Sequence, residues 1–249
     1  MRIGLWSVCF LLSLQLTAQS EPLNKGTGIL VHFGLGAQVP GGDLADRFGF
    51  NMNVGGGLEV LTAERNFIFG LQSYFLLGSD VKENPLANLT NNEGFIVSGE
   101  GNYADIQLQE RGYYIGAMVG KLFSLSTKNP RSGIRATLGA GLLQHKIHIQ
   151  DDPVQFVPQL QDNYKKGYDR LTNGLAIHTF VGYQMLSVNK RINFYVGMEL
   201  TQGFTQNRRS INFDTRNVDS TQRTDLLLGA RAGLILPFYG GKGAAEIYY

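Results

Sequence analysis

The segment from Ile192 to Leu236 limits what this chain can become more than any other. Ile192, Phe194, Val196, Met198 and Leu200 are large and apolar at every second position, and Asn193, Tyr195, Gly197 and Glu199 lie between them. A period of two means a β-strand with two unlike faces. After a polar, basic connection the pattern returns in Leu226, Leu228, Ala230, Ala232, Leu234 and Leu236, with Gly229, Arg231 and Gly233 interleaved, so the two strands can pair as a hairpin. A water-soluble sandwich turns its apolar face to a core, whereas a membrane barrel turns it to lipid and keeps Glu and Arg inside. Alternation alone does not choose between them.

The remaining chain does. Six further alternating segments are expected near Ile29 to Val39, Phe48 to Val60, Phe67 to Leu77, Gly112 to Phe123, Gly133 to Ile149 and Gly174 to Leu186. That makes eight strands. The connections between them alternate in length: Thr62 to Asn66, Ser124 to Ser132 and Ser187 to Arg191 are short, while Gly78 to Glu110, Gln150 to Thr172 and Thr205 to Gln222 are long, and Pro40 to Arg47 is moderate. Short turns at one end and long loops at the other belong to an outer-membrane barrel, and a sandwich has no reason to segregate loop length by end. The expected fold is therefore an all-β, eight-stranded antiparallel up-and-down transmembrane β-barrel, with both termini periplasmic and the long loops extracellular. Pro237 is expected to break the last ladder, leaving Pro237 to Tyr249 as a strand end plus a short tail.

Composition agrees. Lys and Arg total 22 against 20 Asp and Glu, a formal net charge of +2, which offers no signature of a nucleic-acid binder. Met1-Arg2, an apolar run from Ile3 to Leu16 and the small, polar Thr17-Ala18-Gln19-Ser20 read as a secretory signal peptide over 1–20, with the barrel domain over 21–249. The only cysteine, Cys9, lies within that leader, so the barrel itself carries no thiol, disulfide or cysteine metal site.

The hairpin pattern, Gln144-His145-Lys146-Ile147, the segment from Lys166 to Gly174 and Leu236-Pro237-Phe238-Tyr239 resemble small outer-membrane β-barrel proteins of Bacteroidota, of the PorT-like or OmpA-type eight-stranded kind. The resemblance implies an address and a fold, with members that are uncharacterised or serve as accessory parts of export and assembly machinery. It supplies no catalytic residues.

Parity puts His32, Asn51, Asn53, Glu59, Gln72, Tyr74, Arg135, His178, Gln184, Glu199 and Arg231 in the lumen. Eight strands enclose a space just wide enough to be filled by side chains, so a plugged interior is expected. Glu199 and Arg231 lie at similar heights on neighbouring strands, and Glu59 and Arg135 both sit near the periplasmic end. An unpaired charge in such a place costs several kcal/mol, so these opposite charges should pair, whether as a structural network or as a proton or ion path.

Enzymes built on small barrels need a His with a Ser or carboxylate partner near the outer rim. The candidates here are His145 and His148 with Asp151 and Asp152 beyond them, but a spacing of three on one strand puts the two histidines on opposite faces. Asp151-Asp152 falls short of a calcium-loop pattern. Ser187 to Lys190 matches Ser-x-x-Lys without its companion motifs. No cofactor, metal site or catalytic residue is therefore expected.

The loops differ in charge. Asp80 to Glu110 holds six acids and one base, Lys82, whereas Lys165, Lys166, Arg170, Arg208 and Arg209 make later connections basic. These five are the candidates for loop interactions, in an ordered cap or in solvated loops. The expected function is that of a non-enzymatic structural or accessory subunit of a secretion or outer-membrane assembly complex. Its partners would be outer-membrane lipid, lipopolysaccharide and a larger protein complex. A narrow porin or a lipid A-modifying enzyme is the alternative.

Overall fold

The computed structural model describes residues 26–151, 156–161, 163–187 and 192–239. The signal-peptide segment, Asp152, Val188 to Lys190 and the tail after Tyr239 lie outside those residues. The described residues form ten strands: β1 (Gly28–Gly42), β2 (Asn51–Leu61), β3 (Phe67–Gly78), β4 (Ile96–Val97), β5 (Tyr103–Ala104), β6 (Ile106–Ser124), β7 (Ser132–Asp151), β8 (Thr172–Leu186), β9 (Asn193–Asn207) and β10 (Gln222–Tyr239). β4 and β5 form a small hairpin inside the loop between β3 and β6, and the other eight close into an antiparallel ring in which each strand pairs with its neighbours in sequence and β1 pairs with β10. The chain is an eight-stranded up-and-down transmembrane β-barrel.

The alternation read from the sequence is the alternation of the wall. Along β1 the odd-numbered residues face out, with Phe33 58% and Leu35 54% exposed, while His32, Gly34, Gly36 and Gln38 are buried. Leu71, Leu175 and Leu234, on three other strands, are 64%, 74% and 67% exposed. A belt of bare Leu, Phe, Val and Ile around the whole ring is tolerable in hydrocarbon and not in water.

The lumen is layered. Leu30, Leu61, Ile68, Met118, Leu122, Phe180, Leu186, Tyr195 and Ile235 form an apolar floor at the short-turn end. Leu44, Phe48, Leu76, Leu143, Ile147 and Leu227, with Tyr74 and Tyr114, form a second apolar layer toward the long loops. Between them sits a polar layer that holds Glu59, Arg135, Glu199 and Arg231: glycines aside, the inward positions along β10 run Ile235, Arg231, Leu227 and those along β3 run Ile68, Gln72, Tyr74, Leu76. Leu44 and Phe48 reach the upper layer from the β1–β2 connection, where the one-turn helix Leu44–Arg47 folds over the mouth with both side chains fully buried.

Several boundaries differ from the sequence expectation, and β1 runs on through Pro40 to Gly42 in the β10 ladder. Phe48 is not part of β2, which begins at Asn51; it makes a lone bridge to Val81 and plugs the mouth. β6 starts at Ile106 rather than Gly112, which places Glu110 inside the barrel rather than in a loop. β9 continues to Asn207, so Thr205 is lumenal. Pro237 does not break β10: it is opposite Leu30 in the β1 ladder, while the β9 ladder stops at Leu234, so Pro237 has a described partner strand on one side only and its missing N–H can face the open edge.

β7 shows why its upper half was hard to bound. Below, Leu138, Ala140 and Leu142 point outward; above, the outward set becomes Gln144, Lys146, His148 and Gln150, and the inward set becomes Leu143, His145, Ile147 and Ile149. The apolar phase inverts between Leu142 and Leu143. Below that point the strand is dressed for lipid, and above it for water around a protein core.

Candidate functional site in the lumen and outer cap

Two carboxylates organise the ionic layer. Glu59 accepts from both guanidinium nitrogens of Arg135, at 2.8 and 2.6 Å, a bidentate pair across the barrel. Arg135 also donates to Gln184 Oε1 at 3.0 Å and lies 5.9 and 5.7 Å from the ring centres of Phe180 and Tyr195. His32 stands 3.8 Å from Glu59, too far for a hydrogen bond.

Glu199 is the more heavily used. Oε1 accepts from Gln38 at 2.9 Å and Asn53 at 2.6 Å, and Oε2 from Arg231 at 2.7 Å and His178 at 3.3 Å. Gln72 donates its amide N–H to His178 Nδ1 at 3.0 Å, which leaves the proton on Nε2 aimed at Glu199. Arg231 adds a bond to Asn53 Oδ1 and rests 4.5 Å above the Tyr74 ring. Space for this knot comes from Gly36: a Cβ there would stand 2.5 Å from Asn53 Oδ1 and 2.7 Å from Glu199 Oε1.

Higher up, His145 Nε2 lies 2.8 Å from Asp225 Oδ2, which also accepts from Thr205 Oγ1 at 2.5 Å, all in the fully buried upper layer. His145 thus faces the lumen and His148 the outside. Asp151, the rim carboxylate expected near them, instead bonds Lys165 at 2.5 Å. The two histidines share no site, and the Thr205, Asp225 and His145 group is buried from solvent. Among the described residues no cluster of three His, Cys, Asp or Glu side chains is placed to hold a metal ion.

Above the mouth the loops are tied to one another. Glu83, in the β3–β6 loop, accepts from Arg47 at 2.7 Å and from Arg170 at 2.7 Å; Arg170 continues the chain to Asp214 in the β9–β10 loop. Four loops are thereby joined through one line of alternating charge. Burial alone would push the Glu83 carboxyl up, but Arg47 and Arg170 hold it below the usual carboxylate range. Arg170 sits at φ 51°, a left-handed conformation that costs a non-glycine residue about 1–2 kcal/mol and is offset here by its two carboxylate partners. Arg209 pairs with Asp169, and Arg208 donates to Asn173 Oδ1 at 2.7 Å. Leu86, Ile96, Ile149, Val157, Leu160 and Tyr168 give the cap a small core of its own.

Of the residues singled out from the sequence, Glu199, Arg231, His178 and Gln72 are in one network, Glu59, Arg135 and Gln184 in another with His32 beside it, while in the cap Lys165, Lys166 and Arg209 line one cavity and Arg170 and Arg208 lie apart from it. Sequence reasoning missed Arg47, Glu83, Asp169 and Asp214, which lie in aperiodic segments. It also left Gln38 out, although that residue shares parity with His32.

No family model and no curated protein matches the chain. Solved structures similar to it include Neisserial surface protein A, at 12% identity and a TM-score of 0.38 over 84% of this chain and 98% of that one. Others are Ail of Yersinia pestis in complex with the heparin analogue sucrose octasulfate (10%, 0.34, 84% and 99%) and the outer membrane protein OprG from Pseudomonas aeruginosa (9%, 0.40, 89% and 100%). At these scores the likeness carries neither a site residue nor a function.

Proposed function

We propose that the protein is an integral barrel of the bacterial outer membrane that conducts no solute, performs no catalysis and works by presenting its rigid cap and wall to other molecules. The finer form of the proposal is an accessory subunit of a secretion or outer-membrane assembly complex, with the kinship to Bacteroidota barrels that the sequence suggested. One observation carries the non-conducting reading: lumenal side chains that a water-filled pore would wet are dry, with Gln38, Asn53 and Gln184 at 0% and Glu59 and Glu199 at 1% exposure, between two apolar layers. The cross-linked loops support a surface held in one shape, as binding without a folding cost requires.

Planar-bilayer recording tests the first part: the purified protein adds no steps of conductance, and regular single-channel steps would overturn it. Gentle detergent extraction followed by affinity purification and mass spectrometry tests the second, with a stoichiometric larger outer-membrane partner expected and a lone barrel refuting it.

A further inference from the structure

The outer wall is not uniform at its upper edge. On β6 and β7 the outward side chains change abruptly from Ile115 and Leu142 through Tyr113 and Gln144 to Arg111 and Lys146, which are direct ladder partners. Just above the apolar belt is where the headgroups of the surrounding leaflet lie. Beside Lys146 there is a cavity of about 250 Å³, whose lining includes the polar Lys146, His148, Lys165, Lys166, Asp169 and Arg209 along with two isoleucines of β7. The lining comes from three separate parts of the chain, β7, the β7–β8 loop and the residues after β9, and the cap ties them together.

Charge is unbalanced there. Arg111, Lys146, Lys165, Lys166 and Arg209 bring five positive groups, against the carboxylates of Asp151 and Asp169, which are already engaged by Lys165 and Arg209. Lys166 donates only to a neutral amide, Asn163 Oδ1, at 2.7 Å. Among the described residues the side chains of Lys146 and His148 have no hydrogen-bond or ion-pair partner, although their backbones are paired in the β6–β7 ladder. Such a group of cations on the lipid side of a wall calls for an anion at headgroup level. The cavity is smaller than those that enclose a drug-sized ligand, so it takes one end of a headgroup and not a whole molecule. Beneath it the outward Leu142, Ala140 and Leu138 continue as a surface for acyl chains.

We infer that this cavity is a binding site for a phosphate of an outer-leaflet glycolipid headgroup, gripped by Lys146 and Lys166, with Arg111 and His148 flanking and the acyl chains lying down the β6–β7 wall. Asp169 and Asp151 hold Arg209 and Lys165 in place without cancelling the surplus. The inference rests on the membrane reading above and names the lipid that one sector of the wall selects.

The test uses the detergent-solubilised protein and four probes: bisphosphorylated lipid A, dephosphorylated lipid A, phosphatidylglycerol and inorganic phosphate, with affinity measured by microscale thermophoresis. Lys146→Ala combined with Lys166→Ala removes both charge-assisted hydrogen bonds to the phosphate and should weaken bisphosphorylated lipid A by at least about tenfold. Lys121→Ala, which removes one cation near the opposite end of β6 where it lies over Phe67 and Phe123, should leave that affinity unchanged. Lys146→Ala on its own breaks no partner, so it separates binding from folding, which the mobility of unheated samples on gels reports.

Dephosphorylated lipid A binding as well as the parent, or the double variant binding as well as the unaltered protein, overturns the inference. Phosphatidylglycerol or inorganic phosphate matching lipid A overturns the glycolipid assignment. A protein that stays soluble and monomeric without detergent would instead sink the membrane reading itself.

Discussion

Removing the Glu199 carboxylate is the sharpest test of how the lumen is held together. Glu199→Ala takes the acceptor from four donors, Gln38, Asn53, His178 and Arg231, and leaves the guanidinium of Arg231 in the barrel without a carboxylate, beside Asn53 Oδ1, the Tyr74 ring and Tyr195. Breaking one side of a buried ion pair costs about 3–5 kcal/mol, and with three further donors orphaned the upper part of that range is expected. Arg231→Ala leaves an anion that still has three neutral donors, so its cost falls near about 3 kcal/mol on the same scale. The double variant strands no charge, so its cost should fall short of the sum of the singles by at least about 1.5 kcal/mol. Urea titration in phospholipid vesicles, with the folded fraction read from the mobility of unheated samples, gives all three values. A Glu199→Ala barrel within about 1 kcal/mol of the parent, or a strictly additive double variant, would refute the argument. Unchanged stability with a new conductance would convert the layer from a structural network into an ion path.

Gly36→Ala should destabilise the barrel by about 1–3 kcal/mol, because its Cβ would crowd both Asn53 and Glu199, with the same urea titration as the check. Trypsin should cut the intact protein slowly at Lys165, Lys166 and Arg208, and Arg170→Ala should open all three to rapid cleavage; fast cutting of the parent would show solvated loops instead. The cap should also yield to acid. The Glu83 carboxyl is depressed in the folded protein, so its contribution is fully present above the ordinary glutamate value of 4.5 and is lost as the pH falls through the lowered one. Amide exchange near residues 83–89 and 163–170, normalised to intrinsic rates, should rise over that range while exchange in β9 and β10 stays slow.

The strand alternation, the lumenal parity of Glu199 and Arg231 and the end-to-end segregation of loop length were all readable before any coordinates, because a period of two is a local property of the chain. What closes the network around Glu199 is not local. Gln38 reaches it only because β1 seals against β10, opposite Gly229, and Asn53 because β2 follows β1 round the ring. The cap was less legible still: Glu83 and Asp214 meet Arg170 from segments without periodicity, and Arg170 does so from a backbone conformation that its residue type does not announce. The upper halves of β6 and β7 were obscured by the phase inversion at Leu142 and Leu143, beyond which a search for outward grease finds Lys and His.

The two apolar layers of the lumen also decide how this molecule meets its electrolyte. Mobile ions screen charges that they can approach, over a Debye length of about 8 Å at physiological ionic strength. Dissolved ions are kept from Glu59, Arg135, Glu199 and Arg231 by grease above and below and by lipid around, so brine and fresh water should look alike to the middle of the barrel. The Lys and Arg side chains on its crown and rim have no such shelter.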